Sequence, residues 1–284
     1  MDNSTQIIQI IANIGIIAFV VAGMAALGLE LTLKKVIEPL SDLFLLIKVV
    51  VANFLLVPAL AYLIVVIIPV GEGFRIGLIL LATAAGAPFL PKLVQVAKGK
   101  VAMSVGVMFL LMVLTVIYVP LALPLLLPGV AVNPLEIASS LIVLMLVPMA
   151  AGLLVNYRYK ELAALLQNAL SRISNYGLML GFVALIALNW RYLMATFGSG
   201  AIISALLLII GAFIIGWLSA GKDAKTKPVL ALGTAQRNIA AALVVAGSNF
   251  SDPDVLLMCM VGALLMLVVL MITAGLLGKR NHGN

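Results

Sequence analysis

Gly233-Thr-Ala-Gln-Arg-Asn-Ile-Ala-Ala-Ala-Leu243 decides how this chain is read, because it sets Gln236, Arg237 and Asn238 inside an apolar run from Pro228 to Gly247. A guanidinium in the middle of so apolar a segment is costly, and intramembrane charge marks solute or ion pathways. The rest of the chain is of the same kind: 64% of its 284 residues are hydrophobic, 10% are charged and the mean hydropathy is +1.28. That composition describes an all-α polytopic membrane protein and excludes a soluble domain. Alternating-polarity strand pairs are absent, which argues against a membrane barrel. The one cysteine, Cys259, lies in an apolar run and reads as packing.

Charged and Pro/Gly-rich breaks divide the chain into about nine spans, at 7–29, 43–68, 74–96, 101–127, 135–155, 173–189, 201–219, 228–246 and 255–277. Most approach or exceed the ~20 residues that cross a hydrocarbon core. Between the fifth and sixth, residues 159–172 (YKELAALLQNALSR) have charged ends around an apolar periodicity and are expected to form an interfacial helix. The N-terminal Met-Asp-Asn-Ser-Thr-Gln lacks the basic region of a secretory signal, so the first apolar run is kept as a span.

Assigning successive loops to alternate sides collects Lys34, Lys35, Lys98, Lys100, Arg158, Lys160, Arg172, Lys222, Lys225, Lys227, Lys279 and Arg280 on one side, against Arg75 and Arg191 on the other. The basic side is expected to be cytoplasmic, with the N-terminus outside and the C-terminus inside a cell membrane of the bacterial inner-membrane kind. This dispersal through short loops flanking the lipid bilayer accounts for the net charge of +7 with no nucleic-acid partner.

Internal symmetry is the next clue. The third span contains Gly86-Ala-Pro-Phe-Leu-Pro91 and the eighth contains Gly233 to Asn238. Each precedes a similar string, Val105-Gly-Val-Met-Phe-Leu-Leu-Met112 and Val261-Gly-Ala-Leu-Leu-Met266. The alternating topology directs the third and eighth spans oppositely, so residues 7–127 and 135–277 are expected to form two inverted-repeat halves of one transporter domain. Pro88 and Pro91 each lack an amide donor and free the carbonyls around Ala84 to Ala87. Gly233 is expected to loosen the eighth span, where Thr234, Gln236 and Asn238 supply polar groups. In hydrocarbon, freed carbonyls need protein, water, ion or substrate partners. Two crossing discontinuous helices then make a polar centre.

Three stretches, Gly28-Leu-Glu-Leu-Thr-Leu-Lys34, Ala97-Lys-Gly-Lys-Val-Ala-Met-Ser-Val105 and Gln236-Arg-Asn-Ile-Ala-Ala-Ala-Leu243, resemble the bile acid:sodium symporter family in order and spacing. The resemblance implies a panel domain and a core domain with two helices crossing at the site, in the nine-helix form of the fold. It also implies sodium ligands, and here most of those positions have changed. The Ser and Asn of the family's third-span element fall on Leu90 and Pro91. The family's bridging Glu falls on Leu232, its Asn on Arg237 and a Thr on Met108, while Ser104, Gln236 and Asn53 preserve fragments. Hard cations prefer several oxygens with charge compensation, so sodium coupling is in doubt and no metal ligand set or other cofactor is assigned.

In place of bound cations, the chain sets Lys92 beside the first crossover and Arg237 beside the second. Fixed side-chain charge would then substitute for sodium and recognise a small organic anion, Arg through its planar donor fork and Lys as a compact charge. The assigned site is Lys92, Gln236, Arg237, Asn238, Asn53 and Ser104, with Pro88, Pro91 and Gly233 as breakers. Blander readings stand beside these. Lys92 either faces the site or snorkels to the interface; Arg237 either lines a pathway or pairs with carbonyls; Asn53 either binds or links helices. Lys48 reads as snorkelling, Glu30 as a partner of Lys34, and Trp190, Tyr192 and Tyr118 as an interface belt. One histidine, His282, and no catalytic or nucleotide motif argue against an enzyme. The sequence reads as a secondary carrier of a small organic anion, with a proton-coupled or facilitated carrier and a nontransporting solute sensor as the alternatives.

Overall fold

The computed structural model describes residues 3–32, 42–195, 198–221 and 223–280. Lys34, Lys35, Lys222 and His282 lie outside the described residues, as do the side chains of Trp190, Arg191 and Tyr192. Every regular element among the described residues is a helix. Among the described residues eight segments are long and apolar enough to cross a membrane, one of them, 227–249, interrupted within its length, and a ninth, at 72–96, is interrupted near its middle. Leucines such as Leu125, Leu135 and Leu218 lie exposed on the outer surface, an arrangement suited to a hydrocarbon surround.

The elements run α1 (Asn3–Glu30), α2 (Leu43–Ile67), α3 (Glu72–Thr83), α4 (Leu90–Val96), α5 (Val101–Leu126), α6 (Pro134–Arg158), α7 (Lys160–Ala195), α8 (Ala201–Ser219), α9 (Lys227–Ala235), α10 (Ile239–Asn249) and α11 (Pro253–Arg280). Two helices carry the same local device. In α2 the turn Ala52–Leu56 widens to π geometry just before Pro58, and in α6 the turn Ile142–Leu146 does so just before Pro148. A proline cannot donate to the carbonyl four residues back and its ring collides with it, so the preceding turn opens. Asn53 sits in the widened turn of α2 and is buried.

The expected interfacial helix at 159–172 is corrected by the structure. Those residues continue into the sixth span as one helix, α7, of 36 residues. No proline interrupts the stretch, and its first glycine, Gly177, is held in a helix contact rather than a turn. At 1.5 Å per residue a helix of that length reaches about 54 Å, longer than the ~30 Å hydrocarbon core.

Packing sorts the helices into two groups. In the first, α1 lies against α6 and α7 through small residues: Gly15 meets Gly177 and Gly181, Gly28 meets the backbone of Met149, and Gly152 meets that of Ala25. Ser174 Oγ donates to the Phe19 carbonyl at 2.8 Å and Asn156 Nδ2 to that of Leu31 at 2.7 Å. With lipid as apolar as leucine, such close backbone approach and interhelical bonding supply the cohesion. In the second group, α8 packs on α9 where Gly216 meets Leu230 and Ala231, and α11 packs on α3 where Gly77 meets Met258. The groups meet through α10, α6 and a small cluster of Ala12, Ala184, Leu185 and Met260.

Candidate functional site

The site is built where two helices stop. α3 ends at Thr83, whose Oγ1 donates to the Leu80 carbonyl at 2.9 Å. The chain then runs extended through Ala84 (φ −84°, ψ 92°) and turns at Gly86 with φ +79°. A side chain there would be strained and would meet the backbone of Met112 on α5. Pro88 lies within this interruption. Pro91 does not: it occupies the first turn of α4, where a missing amide hydrogen costs nothing, so it starts the second half-helix and does not break the first.

The second interruption falls within the expected stretch 233–238 but at its far end, and Gly233 is not the breaker. Gly233 is helical within α9, with a Cβ position facing Leu90 Cδ2 at 3.1 Å, and so serves close packing of the two crossing segments. The break is at Gln236 (φ −83°, ψ 115°) to Asn238 (φ −79°, ψ 91°). Asn238 caps α10 by accepting from Ala241 N at 3.1 Å.

These interruptions bind each other. Asn238 N donates to the Ala84 carbonyl at 2.8 Å, and Asn238 Nδ2 to that of Gly86 at 3.1 Å. Thr115 on α5 serves Ala85 twice, accepting from its N–H at 2.9 Å and donating to its carbonyl at 3.0 Å. Backbone groups released by the break are thus satisfied by protein, as burial away from water requires.

Arg237 completes the centre. It is 1% exposed. Its Nε donates to the Leu81 carbonyl at 3.1 Å and its Nη2 to that of Ala82 at 2.6 Å, both in the last turn of α3. Its Nη1 donates to Asn53 Oδ1 at 2.8 Å and to the Thr234 carbonyl at 3.0 Å. Because the guanidinium is donor-only, the Asn53 amide must turn its oxygen toward it. The amide nitrogen then donates to the Val49 carbonyl at 3.0 Å and to Thr234 Oγ1 at 3.3 Å. Two helix C-terminal ends, those of α3 and α9, therefore point their carbonyls at one positive charge, the arrangement the helix dipole favours.

Of the six assigned site residues, Asn53, Arg237 and Asn238 share this network and Gln236 adjoins it. Gln236 is partly exposed, and its Oε1 is buried without a hydrogen-bond partner among the described residues. Lys92 is exposed and reaches Gln95 Oε1 at 3.5 Å, outside the network. Ser104 is buried but bonds its own helix, at the Val101 carbonyl, 2.6 Å away. Lys48 is likewise remote, with its ammonium 4.3 Å from the centroid of the Phe44 ring. Thr115 is a position whose role the sequence reading missed, its one signal being a single threonine in the apolar stretch Met112-Val-Leu-Thr-Val-Ile117, and Gly86, quoted as the start of the first break, proves to be its turning point. Two grooves of about 420 and 410 Å³ lie away from the crossover, one between α8 and α11 and the other between Lys48 and Asp223.

Residues 15–196 match the sequence model of the Sodium Bile acid symporter family. The chain belongs to that family. The matched stretch holds the first interruption and ends before the second, so Arg237 lies beyond it. A protein of Arabidopsis thaliana described as a probable sodium/metabolite cotransporter, BASS3, chloroplastic, is 28% identical over 171 residues, covering 60% of this chain. The alignment spans 40% of that relative's length. Membership places the chain in a family named for symport of bile acids, and its candidate spans make it a multi-pass membrane protein.

Proposed function

We propose that this protein is a secondary carrier that moves a small organic anion across a membrane by alternating access. The observation that carries the proposal is the pair of bonds from Asn238 to Ala84 and Gly86, which join two interrupted helices inside an apolar fold. Discontinuous helices that meet at mid-membrane are the usual substrate sites of secondary transporters. The family's bile acids and the relative's metabolite support an organic solute. On this reading residues 7–127 and 135–277 are inverted repeats, and the α1, α6, α7 group is the panel against which the remaining helices rock. The N-terminus faces outward and the C-terminus the cytoplasm of a cell of bacterial type.

Within that scheme the groups divide their labour. Gln236, partly exposed with an unpartnered oxygen, meets the solute, while Asn53, Arg237 and Asn238 hold the crossover in shape. Lys92 and Ser104, which stand outside the network, are left without a part in this scheme. No step calls for covalent chemistry by the protein.

The test is flux of radiolabelled small carboxylates into proteoliposomes holding the purified protein. Saturable uptake that falls at least about tenfold in Gln236→Leu, with melting temperature unchanged, is expected; an OH- or NH-bonding group lost from a polar site costs that much or more. Binding by calorimetry without flux of any carboxylate would instead make the protein a solute sensor.

A further inference from the structure

We propose that Arg237 is a tethered cation: its guanidinium fills a cation site formed by two helix C-termini, and the crossover therefore takes up no sodium there. Four oxygens from three segments converge on it, the carbonyls of Leu81, Ala82 and Thr234 and Oδ1 of Asn53, at 2.6–3.1 Å. Carbonyls at helix C-terminal ends carry partial negative charge, so removing the positive charge would leave a buried electronegative cavity. Among the described residues no carboxylate forms an ion pair with Arg237. None of the described residues forms an acidic cluster able to hold a metal either. The donor set is thus neutral and already engaged, whereas a hard cation bound by protein seeks several free oxygens and usually a carboxylate. Sodium, implied by the family's name, does not fit the residues present at this point.

A guanidinium meets these acceptors better than a sphere would. It is planar, distributes its charge over separated N–H groups and is the side-chain cation least able to shed its proton. Held by its own chain, it is not released during a transport cycle. The energy that an exchanged ion would contribute to coupling is therefore absent at this position.

A purely supporting arginine would also leave a destabilised variant, so the discriminating readout is cation dependence. Melting temperature of detergent-purified protein is measured in equimolar sodium, potassium or choline chloride, with and without millimolar guanidinium. Wild type should melt alike in all of them. Arg237→Ala should melt lower and regain part of the loss with guanidinium, and to a smaller extent with sodium, but not with choline. A wild-type melting temperature raised by sodium over choline, or a folded Arg237→Ala indifferent to guanidinium, overturns the proposal. Should Arg237→Ala fail to fold, Arg237→Lys keeps the charge and must fold with wild-type indifference to sodium; a sodium-stabilised Arg237→Lys overturns it equally.

The flux arm rests on the carrier reading, while the melting arm does not, so the two fail separately. If uptake is found, its apparent affinity should be equal in sodium and choline, where ion coupling would change it by about 5–150-fold.

Discussion

Thr115→Val is the sharpest probe of how the first interruption is held. One hydroxyl answers both backbone groups of Ala85, at 2.9 and 3.0 Å, and both residues are fully buried. Valine keeps the shape and removes the hydroxyl, leaving a buried N–H and a buried carbonyl without partners at about 1–3 kcal/mol each. Interhelical side-chain bonds in membranes average only about 0.6 kcal/mol, because separated helices find local substitutes. Here the partner is non-helical backbone, which finds a substitute only by rewinding the break, so the larger figure governs and a loss of about 2–6 kcal/mol is expected. Thr115→Ser retains the hydroxyl and gives up a methyl group, about 0.8 kcal/mol. Reversible unfolding of purified protein in mixed micelles measures both variants. If Thr115→Val falls within about 0.5 kcal/mol of Thr115→Ser, the hydroxyl bridge does not hold the interruption. On the proposed carrier function the loss should also appear in transport, because the interruption follows directly on the α3 turn whose Leu81 and Ala82 carbonyls face Arg237.

Three further outcomes follow from the geometry. Gly86→Ala places a side chain at φ +79° against the Met112 backbone and should abolish stable folding, whereas Gly233→Ala meets the flexible end of Leu90 and, at ordinary contact distance, Val107, and should change stability by no more than about 1 kcal/mol; the melting temperatures of the two variants check this. Asp223 bonds Lys100 Nζ at 2.5 Å and Thr226 Oγ1 at 2.7 Å, and the Lys100 bond first, then that of Thr226, holds its carboxyl below the ordinary carboxylate range. A lowered folded value means the stabilisation is complete above about pH 4 and fades as pH falls below it. The difference in melting temperature between wild type and Asp223→Asn should therefore be present at neutral pH, shrink in acid and stay small. The pair is half-exposed, so its contribution is about 1 kcal/mol or less and is reduced by salt. Asn53→Leu removes the acceptor facing Arg237 Nη1 and should destabilise by about 2–3 kcal/mol in the same micelle assay; a neutral result would mean Asn53 plays no part in placing the guanidinium.

Much of the fold was legible because a bilayer imposes simple rules on sequence. Apolar length and charged breaks placed the seventh span at the observed bounds of α8, 201–219, and located a broken third span. Where local rules compete, sequence misled. Residues 159–172 have the charge pattern of an interfacial helix, but nothing in them stops a helix, and α7 runs on against α1 through Ser174, Gly177 and Gly181. Gly233 looks like the weak point of its span, yet helical geometry tolerates glycine wherever tight packing stabilises it, and the chain opens instead at Gln236 to Asn238.

By itself, then, the sequence determined that this is a polytopic helical membrane protein with two polar-centred spans, since hydrophobic length and a mid-span arginine are local properties. Which way the arginine points was decided only by tertiary structure. Its acceptors at 53, 81 and 82 lie more than 150 residues away along the chain, and no short-range pattern brings them together. The crossing of two half-helix pairs does so, because carbonyls released by one break must find donors, and in an apolar interior the nearest donors belong to the other.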